Sequence, residues 1–246
     1  MKYIFGNWKM YLNESESVTV AEKLSTGLSV PQGVSVGVFP NTLAFSAVRE
    51  VIKKSPIALG AQNVSWVPKG AYTGASSAEL FHDAGATYAL VGHSERRYIF
   101  GETDEAVRKK LEACIDAGLT PVVCIGETKE DREEMKAEYR VKKQIMKLFE
   151  GLKNNHMVIV AYEPVWAIGT GEACDSSEAV RMITLIKEEI HQYYSSTVPV
   201  LYGGSVDEKN ADQYLSHGII DGVLVGSAST DPQRFITLIE HTDFSV

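Results

Sequence analysis

The stretch Val158-Ile159-Val160-Ala161-Tyr162-Glu163-Pro164 joins five consecutive apolar or aromatic residues to a carboxylate and a proline. An unbroken apolar run of this length is typical of a parallel strand that is buried on both faces, because a half-exposed strand would alternate polar and apolar residues. Seven further runs of this kind occur along the chain: Tyr3–Trp8, Val34–Phe39, Ile57–Ala61, Tyr88–Val91, Pro121–Ile125, Val198–Tyr202 and Gly222–Val225. The chain therefore predicts eight buried parallel strands.

Amphipathic helices are predicted between these strands, since apolar residues recur there at helical spacing, as in Ile183, Ile186 and Ile190. Asp231-Pro232 is typical of a helix start and Gly118 of a helix end. Eight strand–helix units of about 31 residues each predict an α/β fold, a (β/α)8 TIM barrel, as a single domain over residues 1–246. An open doubly wound sheet is the alternative, but no Gly-x-Gly-x-x-Gly turn follows the first strand, and no Pro- or Ser-rich linker divides the chain.

Composition narrows the class of protein. The chain is 44% hydrophobic and 23% charged, as in soluble globular proteins. A net charge of −8 disfavours a nucleic-acid partner and means that an anionic substrate needs a local cation. The chain starts directly into an apolar strand without a signal peptide, and it has no membrane-length apolar stretch, so we expect a cytoplasmic protein without a membrane partner. Three scattered cysteines, Cys114, Cys124 and Cys174, predict neither a disulfide framework nor a metal site.

Chemistry in such barrels lies at the carboxyl ends of the strands, where Glu163 follows the sixth run. Taken alone, Glu163 would be interpreted as a solvated carboxylate. The segment after it favours a general base instead, because a Trp and an Ile lie between a proline and two glycines, as in a lid that closes and excludes water. The predicted lid comprises Pro164, Val165, Trp166, Ala167, Ile168, Gly169 and Thr170.

Two other strand ends carry candidate catalytic side chains. His93 follows the fourth run, and we expect Ser94 to be the N-cap of a helix with Glu95 in its first turn. The positive end of that helix would favour a neutral imidazole that donates a hydrogen bond, although lone histidines are more often structural. Lys9, after the first run, is either an exposed lysine or the local cation for an anionic substrate, with Asn7 holding it or touching the substrate.

Glycine-rich turns follow the last two strands. Gly203-Gly204-Ser205 and Gly226-Ser227 lie where barrels commonly bind phosphate, and small side chains let backbone N–H groups approach an anion closely. Each sequence is also compatible with an ordinary turn. The pair, after consecutive strands, favours a phosphate site.

Six segments together resemble the triosephosphate isomerase family, in the family's order. They are Gly6–Met10, Gly60–Ser65, Val91–Arg97, Ala161–Gly171, Tyr202–Val206 and Leu224–Gly226. The resemblance implies an isomerase of glycolysis and gluconeogenesis that interconverts dihydroxyacetone phosphate and D-glyceraldehyde 3-phosphate through an enediol(ate), without cofactor or metal. It also implies that Glu163 is the base, that His93 is a neutral electrophile, and that Asn7 and Lys9 support the substrate and its developing charge. Ser94 and Glu95 would support the site, and Tyr202 to Ser205 would latch the lid. The residues implied at the phosphate are Gly169, Ser205, Gly226 and Ser227.

The long segment from Gln62 to Ala78 carries Trp66, Val67 and Tyr72, and long loops with apolar residues are usually functional. In the family this loop enters a second subunit, so the resemblance implies a homodimer with Thr73 at the contact.

The chain departs from the family at three places. Ser227 replaces a glycine, and Ala75 replaces a glutamate that pairs with the arginine at Arg96 across the interface. Lys187 and Asp221 stand where an Arg–Asp pair is common, which we expect near the barrel mouth.

Two other functions are compatible with such a barrel. A different phosphate-binding barrel, an aldolase or an amino-acid biosynthetic isomerase, is the first, but an aldolase needs a Schiff-base lysine inside a strand and the predicted runs contain none. A catalytically inactive barrel that serves as a binding protein is the second. Such a protein would be expected to have lost Asn7, Lys9, His93 or Glu163, and all four are present.

Overall fold

The computed structural model describes residues 1–153, 156–168 and 174–242. Eight parallel strands close into a barrel in chain order, as predicted. They are β1 (Lys2–Asn7), β2 (Val34–Phe39), β3 (Ile57–Ala61), β4 (Tyr88–Val91), β5 (Thr120–Ile125), β6 (Ile159–Tyr162), β7 (Val200–Tyr202) and β8 (Gly222–Val225). The TIM barrel is confirmed, and the doubly wound alternative is wrong because β8 pairs with β1.

Helices of the described chain surround the barrel. They are α1 (Glu14–Gly27), α2 (Phe45–Ile52), α3 (Ala78–Asp83), α4 (Ser94–Tyr98), α5 (Asp104–Asp116), α6 (Lys129–Glu133), α7 (Ala137–Phe149), α8 (Ser176–His191), α9 (Ala211–Leu215) and α10 (Pro232–His241). Asp231 caps α10 by accepting the N–H groups of Gln233 and Arg234, and Gly118 follows α5 with φ at +79°. Both helix-boundary predictions are confirmed. No helix in the described ranges combines the length and apolarity needed to cross a membrane.

Alternation along the strands decides which side chains enter the barrel. Phe5 of β1 and Ala161 of β6 belong to one buried cluster inside the barrel, whereas Ile4 and Val160 pack outward under the helices. Because side chains alternate at every residue of a strand, residues two positions further along point the same way. This places Asn7 and Glu163 above the interior cluster, at the carboxyl-end mouth.

The pair Lys187–Asp221 lies at the opposite end from where we expected it. Asp221 directly precedes β8. Its Oδ2 accepts the N–H of Val200, at the start of β7, and lies 2.7 Å from Lys187 Nζ. The expectation of a pair near the barrel mouth is therefore wrong, because the amino ends of parallel strands meet at the other rim. Lys2 lies just before the first predicted apolar run, but in the structure it starts β1, so one strand does contain a lysine. It lies at the amino-end rim, far from the mouth, and donates to the carbonyl of Ile220 at 2.6 Å.

Met135 lies between α6 and α7 with φ at +55° and is 93% exposed. A side chain with a Cβ is strained in this left-handed conformation by about 1–2 kcal/mol, while glycine is not. Met135→Gly is therefore expected to raise the free energy of unfolding by up to about 1 kcal/mol, after the greater chain entropy of glycine is deducted. Urea unfolding measures the change. Met135→Ala is the matched control and should be nearly neutral, and equal midpoints for the two variants would refute the strain argument.

Candidate active site

Glu163 follows β6 directly and is only 1% exposed, so it is not the solvated carboxylate that its position alone would indicate. Its Oε2 accepts the backbone N–H of Ser94 at 2.7 Å. Its Oε1 lies 3.0 Å from Nε2 of His93, but the ring N–H is not aligned with it. Within the described part of the chain, Oε1 therefore has no hydrogen-bond partner. This oxygen is a buried acceptor beside the imidazole of His93.

His93 is itself the N-cap of α4, and Ser94 is the first helical residue. The expectation that Ser94 caps this helix is wrong, because the imidazole takes the place of a hydroxyl. Nδ1 of His93 accepts the N–H of Glu95 at 3.3 Å, so Nδ1 carries no proton. A ring that accepts at Nδ1 is neutral and carries its proton at Nε2, the nitrogen beside Glu163. The helix-terminal location expected for His93 is confirmed.

Lys9 lies after β1 with φ at +50°, a left-handed conformation that costs on the order of 1–3 kcal/mol. Two amides hold it there: Asn7 Oδ1 accepts the N–H of Lys9 at 3.0 Å, and Gln62 Nε2 donates to the carbonyl of Lys9 at 2.7 Å. Glu95 Oε1 lies 2.7 Å from Lys9 Nζ. The ammonium group is thus oriented at the mouth and is only 16% exposed. Strain that neighbouring side chains maintain is typical of functional sites.

A cavity of about 370 Å³ connects these groups. Asn7, Lys9, His93 and Glu163 line one part of it, and the glycine-rich turns line the other. The β7 turn (203–205) and the β8 turn (226–227) are both in its wall, and a Cβ built on Gly226 would lie 3.9 Å from Lys9 Nζ. The only ammonium group among the described cavity residues therefore adjoins the predicted phosphate turn.

Not every predicted phosphate residue has its polar group free. The hydroxyl of Ser205 donates to the carbonyl of Ala167 at 2.7 Å, which ties the β7 turn to the lid segment. Ser227 is exposed and starts a short 3-10 helix, Ser227–Thr230. Two predicted residues lie outside the described ones. They are Thr170, predicted in the lid, and Gly169, predicted both in the lid and at the phosphate.

The described part of the lid begins as a 3-10 helix, Val165–Ala167, and Ile168 lines the cavity. Trp166, in the predicted lid, is half-buried. Its indole N–H donates to Glu127 at 2.8 Å, and Arg132 stacks over its ring at 4.6 Å. Burial raises the pKa of Glu127, and the hydrogen bonds from Trp166 and Tyr162 oppose that shift. The indole therefore anchors the lid's first turn to the barrel.

Gly126 lies so close to the backbone of Glu163 that no side chain would fit between them. A Cβ built on Gly126 would lie 1.7 Å from the carbonyl oxygen of Glu163, which is a forbidden overlap. Gly203 is similar, since its Cβ would lie 3.1 Å from Glu163 Cγ. Gly126 thus allows the close approach of the Glu163 backbone and Gly203 that of its side chain, and a side chain at position 126 would displace Glu163.

The sequence reasoning missed Gln62 and Gly126. Gln62 directly follows β3, so the rule that selected Asn7 and Glu163 would also have found it. Gly126 follows β5 in the same way, but only the three-dimensional packing reveals its contact. The described residues contain no group of three or more His, Cys, Asp or Glu that could hold a metal ion.

A closed parallel barrel with a carboxylate, an imidazole and an ammonium group around one cavity at the carboxyl ends of its strands is the arrangement of a barrel enzyme. The family model described as triosephosphate isomerase matches residues 2–242. Triosephosphate isomerase of Trichodesmium erythraeum is 41% identical over 97% of this chain and 98% of the relative, and that of Dehalococcoides mccartyi is 39% identical over 96% and 94%. The chain belongs to the triosephosphate isomerase family, and it is an isomerase.

Proposed function

We propose that this chain moves a proton between two adjacent carbons of a triose phosphate, the one that carries the carbonyl group and the one that carries the hydroxyl group. Glu163 is the base. The reaction would interconvert dihydroxyacetone phosphate and D-glyceraldehyde 3-phosphate in glycolysis and gluconeogenesis. One observation carries the proposal: a buried carboxylate oxygen, Oε1, has no hydrogen-bond partner among the described residues and borders a cavity that also holds an imidazole and an ammonium group. A carboxylate in that state is ready to accept a proton from carbon.

The phosphate group would bind at the end of the cavity formed by the β7 turn and the β8 turn. The small residues there leave backbone N–H groups accessible to an anion. Ser227 keeps such an N–H, so its side chain does not preclude this mode of binding. Gly169 belongs to the same proposed phosphate site by family resemblance. Lys9 supplies the positive charge, which a chain with a net charge of −8 has to provide locally.

Proton removal leaves negative charge on the substrate's carbonyl oxygen. Nε2–H of His93 is a neutral donor that can stabilise this oxygen and exchange a proton with it, and the ammonium of Lys9 adds electrostatic stabilisation. Glu163, now protonated, returns the proton to the neighbouring carbon, which had carried the carbonyl group. The hydroxyl group on the first carbon gives up its proton to His93, which had donated its own to the former carbonyl oxygen, so a new carbonyl forms and both side chains return to their starting states. The triosephosphate isomerase family is itself a standard example of this division of labour between a glutamate and a neutral histidine, so the roles follow the family. Ser94 and Glu95 support the site by holding Glu163 and Lys9.

A coupled assay tests the activity. D-glyceraldehyde 3-phosphate is supplied, and the dihydroxyacetone phosphate formed is reduced by a second enzyme that consumes NADH. We expect NADH loss in proportion to the amount of this chain. A catalytically inactive barrel would bind phosphate but leave NADH unchanged, and that result would overturn the proposal.

We infer that the chain forms a homodimer through an apolar face at the first four strand ends. The face comprises the exposed residues Met10, Tyr11, Leu43, Trp66, Tyr72, Ile99 and Phe100. This many exposed apolar side chains in the loops after four consecutive strands are typical of a protein interface. Thr73 is exposed in the same loop as Tyr72, which supports its proposed contact with a second subunit. Arg96 pairs with Glu102 of its own chain, so the proposed interface does not depend on a carboxylate at Ala75.

Ile99→Asp is expected to shift the chain from a two-chain to a one-chain species, because a charge would be buried in the apolar face without a partner. Sedimentation velocity at low micromolar concentration measures the shift. Tyr139→Asp is the matched control, since Tyr139 is 66% exposed on α7, outside the apolar face. A wild-type chain that sediments as a stable and active monomer would refute the dimer.

We further propose a cytoplasmic location. Cys114, Cys124 and Cys174 are all free and buried. Proteins of oxidising compartments more commonly pair their cysteines, so three unpaired thiols fit a reducing compartment. Fractionation of the source cells would test this.

A further inference from the structure

The two turns that form the proposed phosphate end of the cavity lie beyond the last backbone pairing between β7 and β8, which leaves a gap between them. The β7 turn and the β8 turn face the same cavity, but the ladder between β7 and β8 pairs only Leu201 with Gly222 and Tyr202 with Val223. Beyond those pairs, no described strand hydrogen bond joins the two turns. Side-chain contacts therefore contribute to their spacing.

Arg234 spans this gap. It lies in the first turn of α10, just after the β8 turn, where Asp231 accepts its backbone N–H at 3.2 Å. Its side chain reaches the segment that follows the β7 turn: Nε donates to Glu208 Oε2 at 2.8 Å, and Nη2 lies 3.4 Å from Asp207 Oδ2. The guanidinium thus joins the start of α10 to the β7 side of the cavity.

The connection continues from Asp207 to the β7 turn. The N–H of Asp207 donates to Asn210 Oδ1 at 2.9 Å, and Asn210 Nδ2 donates to the carbonyl of Ser205 at 3.1 Å. Ser205, Asp207, Asn210 and Arg234 all line the cavity. A displacement of Arg234 would therefore reach Ser205 through the contact with Asp207 and two hydrogen bonds.

The charges indicate that Arg234 does not bind the anion itself. Two carboxylates surround its guanidinium, so the local sum of charges is negative. Lys9, by contrast, adjoins the β8 turn with a single carboxylate partner. We infer that Arg234 is a positioning residue that holds the β7 turn against the β8 turn and thereby sets the affinity of the cavity for the phosphate group of the substrate. This inference rests on the proposed function.

The variants Arg234→Ala and Glu208→Gln test the inference. Each should raise KM and the inhibition constant of inorganic phosphate about three- to tenfold, in line with a partly exposed ion pair, while kcat stays within about twofold. Because Arg234→Ala already removes the contact with Glu208, the double variant should be no worse than Arg234→Ala alone. Arg234→Lys keeps a charge that can reach one carboxylate and should restore part of the affinity. Arg49→Ala, which removes a similarly exposed ion pair on α2, is the matched control and should change neither constant.

Three outcomes would overturn the inference. A direct contact between Arg234 and phosphate predicts the opposite sign for Glu208→Gln, because freeing the guanidinium would lower both constants. A merely structural role predicts a lower melting temperature with unchanged phosphate affinity. Additive losses in the double variant would show two independent effects. Phosphate binding is also measured by calorimetry without turnover, so a wild-type chain that binds phosphate but fails the coupled assay would contradict the proposed function and leave this test intact.

Discussion

Replacing Glu163 with glutamine is expected to lower kcat by two or more orders of magnitude, while the inhibition constant of inorganic phosphate changes little. An amide matches the carboxylate in shape and can still accept the N–H of Ser94, but it cannot take a proton from carbon. General bases of this kind typically contribute about 10²–10⁴-fold. The loss should fall on kcat because the side chain acts on the reacting carbon, while the phosphate binds at the two turns.

Glu163→Asp separates basicity from geometry. Aspartate keeps a carboxylate but withdraws it by one methylene group, so we expect an intermediate loss, since misplacing a catalytic group by about 1 Å can cost about 10²-fold. Steady-state kinetics measures both variants, and circular dichroism checks that they are folded. Near-normal turnover of Glu163→Gln would exclude Glu163 as the base.

Lys9→Ala is expected to lower kcat by about 10²–10³-fold and to raise KM as well. The ammonium group stabilises the developing negative charge, and removing one such group typically costs this much. It is also the cation beside the β8 turn, so substrate binding should weaken. Alanine retains the Cβ that makes φ of +50° unfavourable, and therefore tests the charge without relieving the backbone strain.

The dependence of KM on ionic strength provides a second test of the role of the Lys9 charge in substrate binding. The wild-type KM should rise with added salt, because salt screens the attraction between a partly exposed cation and an anionic substrate. Lys9→Ala should lose most of that dependence. Lys109→Ala removes an exposed lysine of α5 and is the matched control, which should keep the wild-type kcat and KM. An unchanged KM in Lys9→Ala would exclude the local-cation role.

The strand ends explain why so much of the site could be predicted. Parallel strands bring their carboxyl ends to one rim, so Asn7, His93 and Glu163, which are distant in sequence, were expected at a common mouth. The cavity contains all three. Their roles stay predictions, because kinetics and not geometry decides them.

Other features depend on contacts that no local pattern encodes. Ser94 is a good N-cap by type, but His93 occupies that position because its imidazole can reach the N–H of Glu95. Trp166 is packed because Glu127, after β5, and Arg132, in α6, contact its indole ring. In both cases the hydrogen-bond partner of a polar group is a side chain that the local sequence pattern does not predict.

The sequence by itself determined the eight buried strands, the barrel and the polar residues at its mouth, because apolar periodicity and strand polarity are local properties. Only the tertiary structure decided that one oxygen of Glu163 lies 3.0 Å from Nε2 of His93, that Gly126 must lack a side chain, and that Arg234 contacts Asp207 and Glu208. These features depend on distances between residues that are far apart in the chain. Such distances are set by the closure of the barrel and the packing of its loops, which the order of amino acids specifies only through the complete fold.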